Sequence, residues 1–346
     1  MRPLLTALCL VSTPLAAQDA PQVVTDIAPV RALVAQLMEG VGTPDQIIPA
    51  GSSPHSYAMR PSEARALRNA DLVVWVGPAL THWLEEPLDT LAPDAARLTL
   101  MAQTGTQVLP MREAEGLEQG HAHEDHANGT DHEDHKGHDD HEDHADHEDH
   151  ADHDAQEDGA HAEEAHDDAG HAGHDHQGDT DPHGWLSPVN AVVWAEAIAA
   201  ELTEIDPENA AIYTQNLTTL RTEVAGAVED ITALLAPLKD KPFIVLHDGS
   251  HYFEESFGIT AKAFIVPGDG STPGPARLKA LRDHLTQQQI VCAFTDPQEN
   301  AALVDTVTEG QNTRVVALDP LGDGQASYAV WLRKFADDMA GCLKGD

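Results

Sequence analysis

Short apolar runs alternate with amphipathic segments from residue 23 onward. Leu72–Val76 is the clearest run, with five consecutive apolar residues that end at a Gly-Pro pair. Such a run is typical of a parallel strand that is buried on both faces. The predicted strands of this half are Val23–Ile27, Gln46–Pro49 and Leu72–Val76. Apolar spacing predicts a helix from Pro29 through Met38 and another that opens at Pro61, with Ser62 as its cap. This alternation indicates an α/β lobe.

A second series of strands and helices follows residue 187. Ser187 is placed to cap a helix that starts at Pro188 and runs to about Glu204. The predicted strands are Phe243–Leu246, Ala263–Val266, Ile290–Thr295 and Val315–Leu318. The predicted helices are Pro275–Gln287, Glu299–Glu309 and Tyr328–Leu343. The series indicates a second α/β unit.

A long helix is predicted between the two series. It starts at Asp206-Pro207 and ends near Leu235. Its apolar positions step by three or four residues and are Tyr213, Leu217, Leu220, Val224, Val228, Ile231 and Leu235. At 1.5 Å per residue the helix would be about 43 Å long, which is enough to cross a domain and join two lobes.

One stretch of the chain follows neither pattern. Residues 112–182 contain no Phe, Trp or Tyr and no apolar periodicity, so we expect a disordered loop when no metal is bound. Sixteen of the chain's 22 histidines lie in it: His121, His123, His126, His132, His135, His138, His141, His144, His147, His150, His153, His161, His166, His171, His174 and His176. Imidazole is largely unprotonated at neutral pH, so the stretch predicts a loop that binds zinc, copper or nickel.

Charge limits the partners. The formal net charge is -40, and residues 121–181 hold 23 acidic side chains against one basic side chain. Nucleic acids and anionic lipid surfaces are therefore excluded as expected partners, whereas metal cations are favoured.

The first 17 residues predict a secretory signal. Arg2 supplies its positive start, Leu4–Val11 its apolar core and Leu15–Ala17 a cleavage site before Gln18. No later stretch approaches the roughly 18 uninterrupted apolar residues of a membrane span. We therefore expect an exported, soluble protein without a span of its own.

Two cysteines follow the signal, Cys292 and Cys342. An even pair in an oxidising compartment predicts a disulfide that ties down the C-terminal tail. Two buried free thiols are the alternative.

Three single histidines are candidate metal ligands, because each stands at a strand end or beside a turn, where α/β sheets usually bind their ligands. His55 follows a Ser-Pro pair, His183 precedes a predicted helix, and His247 ends a predicted strand. No short ligand spacing connects them. Taken singly, each is better explained as a hydrogen-bonded structural histidine than as a ligand.

The sequence motifs around these histidines resemble those of the zinc-specific solute-binding proteins of ABC importers, the ZnuA type. The matching stretches are 51–57 (GSSPHSY), 60–63 (RPSE), 69–77 (NADLVVWVG), 182–188 (PHGWLSP), 247–248 (HD), 252–254 (YFE), 296–298 (DPQ), 318–322 (LDPLG) and 342–346 (CLKGD). They occur in the family's order and span essentially the whole mature chain. The histidine-rich insertion lies where that family carries one, and the Cys292–Cys342 pairing also matches its zinc branch.

The resemblance implies two α/β lobes joined by a single long helix, with a metal cleft between the lobes. The N-terminal lobe would comprise residues 18–205, with the insertion at 113–181. The linking helix would be residues 206–237 and the C-terminal lobe residues 238–346.

The resemblance also implies the ligands. The family's metal histidines map to His55, His183 and His247. Its fourth position, often an Asp, maps to Asp319, with a water molecule as the alternative in zinc members. Three neutral imidazoles and one oxygen suit tetrahedral Zn²⁺. Manganese relatives carry an acid where His247 stands, so His247 favours zinc. His251 is not a family ligand; it lies four residues after His247, where it either shares a helical face and reaches the metal or merely points into the cleft, and the second alternative is favoured. Asp248 is the expected acceptor for a ligand's second N–H.

The implied function is a monomeric periplasmic receptor that captures Zn²⁺ and passes it to an ABC permease at the inner membrane. The histidine-rich loop would collect or sense zinc. Two alternatives stay open: a periplasmic buffer or chaperone that acts through this loop alone, and a receptor for another divalent metal such as Mn²⁺. An enzyme is disfavoured, because the chain has no H-E-x-x-H motif and no Glu beside the candidate ligands to act as a base.

Overall fold

The computed structural model of the chain describes residues 20–112, 180–323 and 327–345. The predicted signal at residues 1–17 and the predicted loop histidines, His121 to His176, lie outside these ranges. Within them the chain forms two four-stranded parallel sheets with helices packed against them, so the predicted α/β class with two lobes is confirmed.

The first sheet has the strand order β2-β1-β3-β4, and all its strands are parallel. The strands are β1 (Val23–Thr25), β2 (Asp45–Gln46), β3 (Leu72–Trp75) and β4 (Ala96–Thr99). The helices are α1 (Ala28–Leu37), α2 (Pro61–Arg68), α3 (Pro78–Thr81), α4 (Glu85–Leu91) and α5 (Pro188–Ile205). Every residue of β1 and β3 is buried, which explains why these strands are almost uniformly apolar.

The second sheet repeats this order as β6-β5-β7-β8, again with parallel strands. Its strands are β5 (Phe243–His247), β6 (Ala263–Val266), β7 (Cys292–Thr295) and β8 (Arg314–Ala317). The remaining helices are α6 (Ala210–Leu235), α7 (His251–Phe257), α8 (Pro275–Gln288), α9 (Ala302–Thr308) and α10 (Tyr328–Lys344). In both sheets the chain order reverses between the two central strands, which opens a crevice at their carboxyl ends.

Helix α6 packs against helices from both lobes. Gln36 of α1 donates to Glu223 of α6 at 2.8 Å, and Arg333 of α10 donates to Asp230 of α6 at 2.9 Å. Its 26 residues give a length of about 39 Å. The buried face of α6 joins one continuous apolar core with α1, α5 and α10, so this helix is positioned to hold the lobes together.

Most strong periodic segments have the predicted type, with small shifts in their ends. The helix at 299–309 is shorter than predicted and starts at Ala302, because the preceding residues form a turn in which Gln298 donates its backbone N–H to Asp296. Ser62 does not cap α2. The helix begins at Pro61, and the carboxylate of Glu63 accepts the backbone N–H of Arg60.

Four short elements were not predicted: α3, α4, β4 and α7. Each has only four to seven residues. In β4 only Leu98 is buried, so the strand carries no apolar run that would identify it.

A disulfide joins Cys292 to Cys342, as predicted. Cys292 is the first residue of β7, and Cys342 lies in the last turns of α10. The bond therefore ties the C-terminal helix to a central strand of the second sheet.

We expect the Cys292–Cys342 bond to stabilise the fold strongly. It closes a loop with a sequence separation of 50, for which the chain-entropy model gives about 4 kcal/mol. Urea unfolding of the metal-free protein should show a midpoint that falls when a thiol reductant is added. The double variant Cys292→Ser/Cys342→Ser is the control, since its midpoint should already be low and should ignore the reductant.

Candidate metal centre

Three histidines from separate segments meet at the carboxyl edge of the second sheet. His247 is the last residue of β5, and His183 directly precedes a one-turn helix at Gly184–Leu186. His55 lies in another one-turn helix, Pro54–Ser56, which is held by a 2.8 Å hydrogen bond from the Trp83 indole to the carbonyl of Pro54. Successive histidines are thus 128 and 64 residues apart in the chain, which is why no local spacing connects them.

The three rings converge through one nitrogen each. These nitrogens all lie within 4.8 Å of one another, and the ring centroids are 5.6, 5.4 and 4.8 Å apart. The Nε2 atoms of His55, His183 and His247 are all buried and lack a hydrogen-bond partner. Nitrogens at about 2.1 Å from one zinc ion stand roughly 3.4 Å apart, so side-chain movements of about 1 Å would close the set around a cation.

Two carboxylates hold the opposite nitrogens of two of these rings. Asp181 Oδ1 lies 2.7 Å from His183 Nδ1 and also accepts the backbone N–H of His183 at 2.9 Å. Asp296 Oδ2 lies 3.5 Å from His247 Nδ1. A carboxylate at Nδ1 favours a proton on that nitrogen and leaves the Nε2 lone pair free for a metal.

His251 belongs to this support. Its Nδ1 lies 3.1 Å from Asp181 Oδ2, so one carboxylate is shared between His251 and His183. Among the described residues, the group of converging ligands does not include His251.

Burial and charge pull the histidine pKa values apart. Burial and the neighbouring histidines lower the pKa of His55 to about 2. Burial also disfavours a charged His247, but the hydrogen bond and charge of Asp296, together with Glu299 and Asp248, outweigh it and raise the pKa of His247. The pKa values of His55 and His247 are therefore shifted in opposite directions, and of these two rings His247 is the one on which protons compete more effectively with a metal.

A glycine allows the second lobe to approach His55. Gly270 lies in the loop after β6 with φ +73°, and a Cβ there would stand 3.3 Å from the ring of His55. The loop thus lies against the ligand that the first lobe contributes.

Two of the expected site residues lie elsewhere. The converging group in the described part of the chain contains no carboxylate, so Asp319 is outside it. Asp319 Oδ1 instead accepts hydrogen bonds at 3.0 Å from Gln298, Leu321 and Gly322.

Asp248 does not support a ligand's N–H, contrary to our expectation. It pairs with Arg112, whose Nη1 also lies 2.6 Å from Glu254. The carboxylates that face the Nδ1 atoms of His183 and His247 are those of Asp181 and Asp296, respectively. The sequence analysis did not identify either of them. Asp181 stands two residues before His183, in a stretch that already matched a family motif.

The family assignment follows from comparison of the whole chain. Residues 23–342 match the model of a family described as zinc-uptake complex component A, periplasmic. The chain belongs to the ZnuA family. This family is one of periplasmic solute-binding receptors for zinc uptake.

Named relatives agree with membership of the ZnuA family. The chain is 40% identical over 333 residues to the high-affinity zinc uptake system protein ZnuA of Paracoccus denitrificans (strain Pd 1222), covering 95% of this chain and 93% of the relative. It is 38% identical over 325 residues to the protein of the same name from Brucella abortus (strain 2308), covering 93% and 91%.

Solved structures share the fold. A crystal structure of ZnuA superposes with a TM-score of 0.69 at 20% identity and covers 94% of this chain and all of its own. At 20% identity, this likeness shows a shared fold and nothing further. No helix in the described part of the chain has the length and apolar character needed to cross a membrane.

Asp181→Asn tests the support of His183. An amide cannot accept strongly from both His183 and His251, so we expect zinc to bind about 10- to 100-fold more weakly. Competition against a zinc chelator would measure this. Asp338→Asn is the matched control, because Asp338 pairs with a surface lysine, Lys334, at 2.5 Å. Equal affinity in Asp181→Asn and the wild type would contradict the assigned role.

The raised pKa of His247 predicts a pH dependence. The metal binds the neutral ring, so lowering the pH should weaken zinc binding. Because the pKa of His247 is raised, this loss should begin while the pH is still above 6.5, the ordinary histidine pKa. Asp296→Asn removes the main cause of the shift and should move this fall to lower pH. Dissociation constants measured from pH 5 to 8 would show it, with the surface variant Asp283→Asn as control. An unchanged midpoint in Asp296→Asn would rule out Asp296 as the cause.

Proposed function

We propose that this protein captures Zn²⁺ in the periplasm and delivers it to an ABC permease at the inner membrane. The observation that carries the proposal is the set of three buried, unpartnered imidazole nitrogens. Membership of the ZnuA family supports the cargo and the partner. The metal is cargo, so the site has to bind and release it without chemical change.

His55, His183 and His247 are the proposed ligands. Three neutral imidazoles suit the borderline ion Zn²⁺, while Mn²⁺ is favoured by carboxylate oxygens. One structural neighbour, at 19% identity and a TM-score of 0.67, is a solute-binding protein of Pseudomonas aeruginosa described in complex with Mn²⁺. The fold therefore does not select the metal, and the proposal of zinc depends on the nitrogen donors.

We assign the histidine-rich insertion an accessory role as a zinc-collecting segment. Its two ends are held close to the site: Pro110 forms a backbone bridge with Thr180, and the Tyr252 hydroxyl contacts both the backbone N–H of Leu109, at 2.9 Å, and the carbonyl of Asp181, at 3.0 Å. A tether that starts and ends beside the ligands would keep its metal at roughly millimolar concentration near them.

The rest of the sequence-based assignment belongs to the same proposal. Residues 1–17 would be a cleaved signal, and the mature protein would act as a monomer. The lobes would comprise residues 18–205 and 238–346, joined by residues 206–237. Membership of a family of periplasmic solute-binding receptors supports a receptor over a zinc hydrolase.

Zinc titration calorimetry with a competing chelator tests the receptor. The protein should lack residues 116–178, which removes most of the insertion and keeps Thr180 for its bridge. We expect one tight site, weakened by more than about 100-fold in His55→Ala, His183→Ala or His247→Ala, because each removes a ligand rather than its support. His82→Ala is the control, since His82 is exposed and pairs with Glu85.

Two outcomes would redirect the function. Absence of a tight site in the shortened protein would place zinc binding in the insertion, as a buffer or chaperone. Tighter binding of Mn²⁺ than of Zn²⁺ at the intact site would change the cargo.

A further inference from the structure

A fourth buried polar atom near the three histidines also lacks a partner. It is the side-chain oxygen Oε1 of Gln298. Gln298 lines the same cavity as His55, His183 and His247. A buried amide oxygen without a hydrogen-bond partner is costly, so its position beside three unpartnered nitrogens calls for a common cause.

The amide of Gln298 is fixed in its orientation. Its Nε2 donates to Asp319 Oδ1 at 3.0 Å, and a carboxylate can only accept, so the NH₂ group must face Asp319. The oxygen then points away from Asp319. The Gln298 backbone is fixed as well, because its N–H donates to Asp296 Oδ1 at 2.9 Å.

Asp319 is held in turn by the backbone. Its Oδ1 accepts the N–H groups of Leu321 and Gly322, each at 3.0 Å. With Gln298, three donors therefore converge on one oxygen. These bonds position Asp319 as an acceptor within its own turn, outside the converging ligand group of the described residues.

Glu299 is the other candidate for an oxygen at this site. It lines the cavity beside Gln298, but its carboxylate, like that of Asp319, does not join the converging group in the described chain. Glu299 also lies close enough to His247 to affect its charge.

We propose that Gln298 Oε1 supplies the fourth polar contact to the bound metal ion and that Asp319 positions Gln298. The inference rests on the proposed function, since it requires a metal ion among the histidines. An amide oxygen there binds the ion or orients a water molecule bound to it. Its contribution is weaker than that of a carboxylate and carries no charge, which leaves the cargo easier to release.

The experiment compares Gln298→Leu, Asp319→Asn and the double variant in the full mature chain. Zinc dissociation constants come from chelator competition, which reports the tightest site. We expect Gln298→Leu to bind about 10- to 100-fold more weakly. Asp319→Asn should weaken binding by no more than this, and it should add little in the Gln298→Leu background, because both changes remove one contact.

Bound Co²⁺ gives a second readout. Its visible absorption depends on the donor set, so the band should move in Gln298→Leu. Gln311→Leu is the control for both readouts: Gln311 is also half-buried in the second lobe, and its Nε2 bonds only the carbonyl of Val307 at 3.1 Å. Should Gln298→Leu fail to fold, Gln298→Met retains the side-chain length and removes the oxygen.

The outcomes separate this inference from the proposed function. Wild-type affinity and an unmoved Co²⁺ band in Gln298→Leu or Gln298→Met would overturn the role of Gln298. A loss in Asp319→Asn that persists in full in the double variant would make Asp319 the direct contact. Failure of His183→Ala to weaken the tight site would instead refute the cleft as the zinc site.

Discussion

Three imidazole nitrogens share one pocket without hydrogen-bond partners, and the surrounding structure accommodates that arrangement. A buried polar atom left unpaired costs about 1–3 kcal/mol, and a ligand that satisfies all three would remove that cost. The rings must also stay neutral to bind a cation. Burial and mutual proximity secure this for His55, while Asp181 anchors His183 through the opposite nitrogen. Binding of a cation should therefore raise the free energy of unfolding of the protein.

The repeated strand order explains where this pocket forms. In each sheet the strand order reverses between the two parallel central strands, and the loops that follow them diverge at that point. In the second lobe the crevice presents His247 and Asp296. In the first lobe the equivalent crevice is closed by Asp26, whose two oxygens accept the backbone N–H groups of Ile27 and Val76 at 2.8 and 2.7 Å. Of two similar crevices, one is internally satisfied and the other remains available to a ligand.

Hydrophobic periodicity and sequence motifs predict most strands and helices and the candidate ligands, and the elements and residues that they miss have physical reasons. Buried strands such as β3 and β5 are apolar on both faces and so identify themselves, whereas β4 buries only Leu98. The candidate metal histidines could be singled out because motifs surround them. The groups behind them could not, because Asp181, Asp296 and Gln298 act through contacts that only the folded chain creates. Asp319 shows the same limit: its position in a motif does not reveal that its oxygen is committed to a turn.

The hydroxyl of Tyr252 fixes the backbone on both sides of the insertion. By holding Leu109 on one side and Asp181 on the other, it fixes both points where the insertion leaves and rejoins the lobe. Residues can then be gained or lost between those points while His183 keeps its place. The length and composition of the inserted stretch are thereby decoupled from the geometry of the pocket, because neither of the two anchoring contacts involves a residue between Leu109 and Asp181.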